Sequence, residues 1–133
     1  MTYTATLPIL GFDGIETYRL EKIDDFFYSL KNAEGDTPTF TLIHPAAVRE
    51  DYAFDLPAAA AEKLALTDEK DALVLNIMTL DTPLEKSHIN FIAPLVFNTK
   101  NRTMAQVVLD AFQYPDYGVA EPLAQYLAKV ESS

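Results

Sequence analysis

The stretch "APLVFNTKNRTMAQVVL", residues 93–109, decides the reading of the fold. Two apolar runs flank a polar patch, Asn98 to Thr103, which is the pattern of a β-hairpin. Pro94 sits inside the first run. Proline removes a ladder hydrogen bond and belongs at an edge or a bulge. A curling sheet accommodates it where a strand bends from one sheet to the next. Phe91-Ile92 and Leu95-Val96-Phe97 then serve two different faces.

Upstream, "DALVLNIMTLD" (71–81) is the strongest strand, apolar on both faces and interrupted only by Asn76. "HINFIAPLVFN" (88–98) is also apolar on both faces, whereas "MAQVVLDAF" (104–112) sets Ala105, Val107 and Leu109 against Gln106 and Asp110. "TPTFTLIHP" (37–45) alternates Phe40 and Leu42 with threonines, the period of a half-buried strand. "IETYRLEKI" (15–23), "DFFYSLKN" (25–32) and "EDYAFDL" (50–56) complete the expected strands. "LPAAAAEKLAL" (56–66) reads as a short internal helix, with Pro57 at an early position and four alanines. "EPLAQYLAKV" (121–130) carries Leu123, Tyr126, Leu127 and Val130 at helical spacing, and a C-terminal helix is expected over about 119–130. The sum predicts a mostly β, single-domain, antiparallel β-barrel-like fold over residues 1–133.

Composition limits the chemistry. There is no cysteine, which removes disulfides, thiol nucleophiles and thiolate metal sites. "MTYTATLPIL" lacks the basic and apolar regions of a signal peptide, and no apolar run approaches the ~18 residues of a membrane helix, so a cytosolic protein is expected. The net charge of −10 repels phosphate backbones and argues against direct nucleic-acid binding. His44 and His88 stand at strand ends without metal-ligand spacing. None of the four serines lies in a nucleophile elbow, and "GFDG" (11–14) lacks the lysine of a phosphate loop. No catalytic residue, metal or cofactor is expected.

Between Glu34 and Asp71 nine carboxylates face three bases, so this third of the chain holds −6 of the charge. Tyr52 and Phe54 lie within it, and aromatic residues beside charge are favoured in protein interfaces. The candidate protein-binding surface is Asp51, Tyr52, Phe54 and Asp55, with Asp68, Glu69 and Asp71 as a steering rim. A second candidate is the hairpin loop, with Asn98, Lys100 and Arg102. Solvated turns are the plain alternative for the acidic residues.

Taken in order, "LGFDGIETYRL" (10–20), "HPAAVREDYAFDL" (44–56), "DALVLNIMTL" (71–80) and "INFIAPLVFNTKNRTMAQVVLDAFQYP" (89–115) resemble the flagellar assembly factor FliW family. The resemblance runs to Pro115. It implies a compact β-barrel-like regulator of bacterial motility; a monomer is expected when the protein is free. Such a protein binds CsrA, an RNA-binding translational repressor, and also flagellin, which competes for it. A dedicated flagellin chaperone without a CsrA role, or a small ligand-binding or hydrolytic barrel, are the alternatives. Two departures stand out. His44 replaces the first residue of the family's "DP" pair. Met104 or Ala105 stands where the family has glycine, which bears on the hairpin turn.

Overall fold

The computed structural model describes residues 1–35 and 37–126. Nine strands form: β1 (Thr2–Leu7), β2 (Thr17–Lys22), β3 (Phe27–Asn32), β4 (Thr39–Ile43), β5 (Ala72–Thr79), β6 (His88–Ile89), β7 (Leu95–Asn98), β8 (Thr103–Gln106) and β9 (Glu121–Pro122). Their order is β4-β3-β2-β1-β8-β7-β5-β6-β9, and a further β4–β5 pairing joins the ends of the first seven. Those seven strands therefore close into a barrel, with β6 and β9 as an extension on β5. All pairs are antiparallel except β1 with β8, which is parallel and carries a register shift between Ala5 and Leu7.

The apolar-both-faces pattern of the opening stretch has two separate partners. Leu95, Phe97 and Met104 point into the barrel, where they meet Tyr3, Tyr18, Leu30 and Leu42. Val96 and Ala105 point outward under helix α1 (Ala58–Leu64), against Ala60 and Leu64. The row Ala105, Val107 and Leu109 belongs to this outer layer, not to the lumen. A third cluster, around Phe91, Ile89 and Tyr126, fills the β6–β9 end.

Pro94 lies immediately before β7, and its carbonyl accepts from the Val107 N–H at 2.9 Å. Between the pairs Met78↔Ile89 and Leu75↔Leu95, five residues (90–94) oppose two on β5. That excess is the bend expected around the proline. Asn76 stabilises it: its Nδ2 donates to the Asn90 carbonyl at 2.9 Å.

The hairpin turn clasps the helix. α1 has only seven residues and no side-chain N-cap, so it is marginal by itself. Its Leu64 carbonyl accepts from Asn98 Nδ2, Asn101 Nδ2 and Thr103 Oγ1 at 2.9, 3.2 and 2.8 Å. The turn's left-handed residue is Arg102, at φ 63°. Met104 and Ala105 are fully buried within β8, so the departure from the family's glycine falls in a strand and not in the turn.

Five expectations change. The run 88–98 is divided into β6 and β7 by residues 90–94, and the strand expected over 104–112 stops at Gln106, where the chain leaves β7. Residues 2–7 form β1 although the sequence analysis assigns no strand there; the alternation of Tyr3, Ala5 and Leu7 with threonines is its signal. Residues 50–56 form no strand. Their alternation serves an extended strap held by side chains. The expected helix over 119–130 gives way at Glu121–Pro122 to β9, which pairs with β6. Residues 124–126 are helical, and the rest of that range lies outside the described residues.

Candidate functional site

β4 ends where the chain turns into a 3-10 turn at Pro45–Ala47. His44 caps this turn, its Nδ1 accepting from the Ala46 N–H at 3.2 Å. The imidazole thus does the work that an aspartate oxygen would do at an N-cap. The chain then crosses the outside of the barrel as the strap, residues 49–56.

Tyrosine hydroxyls hold the strap down. Tyr52 donates to the Phe91 carbonyl at 2.6 Å and accepts from Asn76 Nδ2 at 3.3 Å. Tyr117 donates to the Ala53 carbonyl at 2.6 Å and accepts from the Ala53 N–H at 3.0 Å. Tyr114 accepts from the Asp55 N–H at 2.8 Å. The rings of Tyr52 and Tyr117 lie 4.7 Å apart, and Tyr114 stacks on Tyr117 at 5.4 Å. Burial holds the Tyr52 hydroxyl well above the ordinary tyrosine range, against the opposing pull of the Asn76 amide.

Arg49 anchors the other end. Its guanidinium lies between the rings of Phe91 and Tyr117, at 5.1 and 4.8 Å. It donates to Glu121 Oε2 at 3.3 Å and to the Asp116 carbonyl at 3.1 Å. Tyr126 donates to Glu121 Oε1. Burial, then that hydrogen bond to the carboxylate, pushes Tyr126 up to about 12.

The strap has a groove on each side. One, of about 750 Å³, carries the charged side chains Arg49, Glu50, Asp51, Asp116 and Glu121 in its lining, with Tyr126 beside them. The other, of about 600 Å³, has Val74, Val96, Leu56 and Leu66 among its apolar lining, with Asp55 and Glu69 as carboxylates. No lysine or arginine lines this second groove.

Of the sequence-derived candidates, Tyr52, Phe54, Asp55 and Glu69 converge on the apolar groove. Asp51 lies on the opposite side of the strap, exposed, with Arg49 Nε at 4.0 Å. Asp68 caps a 3-10 turn, its Oδ1 accepting from the Lys70 N–H at 3.0 Å. Asp71 accepts through its carbonyl from the N–H and Oγ1 of Thr99. Tyr52 and Phe54 are half-buried in the core that seats the strap. In the second candidate loop, Asn98 is buried and committed to α1, whereas Lys100 is exposed. Arg102 lies 5.5 Å over the Tyr3 ring. Tyr114, Tyr117, Arg49 and Val74 escape sequence reasoning. The spacing "YPDY" at 114–117 is the signal for the two clamping tyrosines.

Among the described residues no group of three or more His, Asp or Glu is placed to hold a metal ion, and no helix is long and apolar enough to cross a membrane.

Comparison with known proteins decides the family. A family model described as FliW protein matches residues 2–123. The chain belongs to the FliW family. "Flagellar assembly factor FliW 2" of Wolinella succinogenes is 49% identical over 126 residues, covering 95% of this chain and 92% of that protein. "Flagellar assembly factor FliW" of Sulfurimonas denitrificans is 41% identical, covering 97% of this chain and all of that protein. The relative from Campylobacter lari is 36% identical, over 98% and 100% of the two chains. A solved structure, "Crystal structure of the flagellar assembly factor FliW", superposes with a TM-score of 0.83 at 26% identity, over 92% of this chain and 84% of that one.

Proposed function

We propose that this chain is a cytoplasmic, non-catalytic, protein-binding regulator of flagellar assembly. It antagonises the translational repressor CsrA and binds flagellin, the two exchanging as partners on one molecule. Family membership supplies the assembly-factor class. The observation that carries the surface is the convergence of Tyr52, Phe54, Asp55 and Glu69 on one apolar groove that no lysine or arginine lines.

The physics agrees with partner binding. A net charge of −10 favours a partner with basic surfaces and speeds its encounter. An apolar groove with a polar rim has the anatomy of an interface core. The barrel interior is filled by Tyr3, Tyr18, Leu30, Leu42 and Phe97, which weighs against a ligand held in the lumen.

The strap separates two surfaces, and charge reversal tests both. Asp51→Lys and Asp55→Lys change exposed side chains on opposite sides of it. Together they should weaken CsrA binding in calorimetry by about tenfold or more, the effect of losing close charge pairs. Unchanged affinity removes both sides of the strap from the interface. Binding of flagellin without any binding of CsrA would leave a dedicated chaperone.

A further inference from the structure

The barrel closes with a gap, and the gap lies in the apolar groove. β4 pairs with β5 only through Thr41↔Met78, Leu42↔Ile77 and Ile43↔Asn76. One step along β4 is one step back along β5, so a longer β4 would set Pro45 opposite Val74. Proline has no N–H to give, and the chain leaves the sheet at that point. Backbone groups alternate in direction along a strand. The Thr99 N–H to Asp71 carbonyl and Asn90 N–H to Ile77 carbonyl bonds fix which residues of β5 face β7 and β6. By that alternation Leu73 and Leu75 face β7, and Ala72 and Val74 face the vacated side. The Ala72 N–H is taken by the Glu69 carbonyl. The N–H and carbonyl of Val74 and the carbonyl of Ala72 meet no partner among the described residues. Elsewhere barrel closure removes such edges; here one is left open inside a groove of about 600 Å³.

We propose that this gap is an acceptor slot for an extended segment of a protein partner, which adds a short strand to the Ala72–Val74 edge. This names the recognition mode of the partner surface assigned above and rests on that reading. The half-buried side chains of Val74, Leu56 and Leu66, resting on the buried Val96, form an apolar seat for one side chain of the incoming segment. Asp55 and Glu69, both exposed, then select a lysine or arginine beside it. The occupant is therefore an extended peptide segment carrying an apolar residue flanked by cations. Main-chain bonds supply affinity and the two pockets supply specificity.

Amide hydrogen exchange on the full chain reads the slot directly. In the free protein the Val74 amide should exchange about a hundredfold faster than those of Leu73 and Leu75, since only the latter are bonded in the sheet. Saturation with purified CsrA or purified flagellin should slow Val74 about tenfold or more with at least one of them. Equal protection of Val74 in the free protein, or a complex with each partner that leaves Val74 unchanged, overturns the slot and leaves the partner-binding reading standing. No complex with either protein overturns both. The exposed pair Asp55→Lys and Glu69→Lys should lower the affinity of the slot-bound complex about tenfold. Val74→Pro removes the free donor without touching a ladder bond and, once its fold is verified by circular dichroism, should do the same. If both variants are folded and bind as the parent does, the slot is rejected.

Discussion

Tyr18 lies wholly inside the barrel with a hydroxyl that meets no hydrogen-bond partner among the described residues. An unpaired buried hydroxyl costs about 1–3 kcal/mol, so Tyr18→Phe should leave stability unchanged or raise it by about 1 kcal/mol. Urea unfolding checks this; a loss above ~1 kcal/mol would show that the hydroxyl is paired. Tyr52 and Tyr126 differ from Tyr18 in that their hydroxyls are bonded as well as buried, while burial holds all three groups above the ordinary tyrosine range. For a raised folded-state value the neutral form is the one the fold prefers. The associated stability is complete below the unfolded value near 10 and fades as pH climbs through the folded value. For Tyr126 that window runs up to about 12. Unfolding free energy should therefore fall as pH rises from about 10, and Tyr126→Phe should flatten part of the fall. A profile that is flat for the parent protein contradicts the assignment.

The strap and the helix are the elements whose placement depends on a few distant side chains. Tyr117→Phe keeps the ring beneath Arg49 and Tyr52 but deletes both bonds to Ala53. It should cost about 1–3 kcal/mol and loosen residues 49–56 selectively, as measured by hydrogen exchange. Uniform loss of protection across the barrel would contradict a local role. Asn98→Ala strips a donor from the Leu64 carbonyl and removes the Oδ1 acceptor of the Lys100 N–H in the turn, and should cost about 2 kcal/mol with loss of α1 helicity. These two elements also show what the sequence carries and what it does not. Period-2 alternation exposes β4 and the apolar runs expose β5 and β7, because side chains two apart share a face whatever the topology. "EDYAFDL" alternates equally well, yet its backbone meets tyrosine hydroxyls some sixty residues away and not a neighbouring strand. Nothing local distinguishes the two cases. The acidic and aromatic half of the candidate groove is legible as Tyr52, Phe54, Asp55 and Glu69. Its other half, Val74 with Val96, exists only because β4 stops at Pro45 and β7 returns beside β5.

Across the barrel as a whole, closure of seven strands around a filled interior leaves only the outer face open to the proposed partners. One side of the strap mixes arginine and carboxylates, the other sets leucine and valine side chains beside two carboxylates and no lysine or arginine, and the chain as a whole carries −10. Association with a basic partner should therefore slow as ionic strength shortens the screening length to about 3 Å at 1 M, while the apolar contact in the groove keeps dissociation nearly constant. Stopped-flow rates at several salt concentrations separate the two; a salt effect confined to dissociation would contradict steering by the net charge. The exchange of partners is read directly by one titration. Titrate the purified chain with CsrA in a calorimeter at moderate salt, then repeat the titration with flagellin already bound. The account predicts a saturable CsrA complex that flagellin abolishes. Silence with both proteins, or CsrA binding that flagellin leaves untouched, would contradict the partner switch.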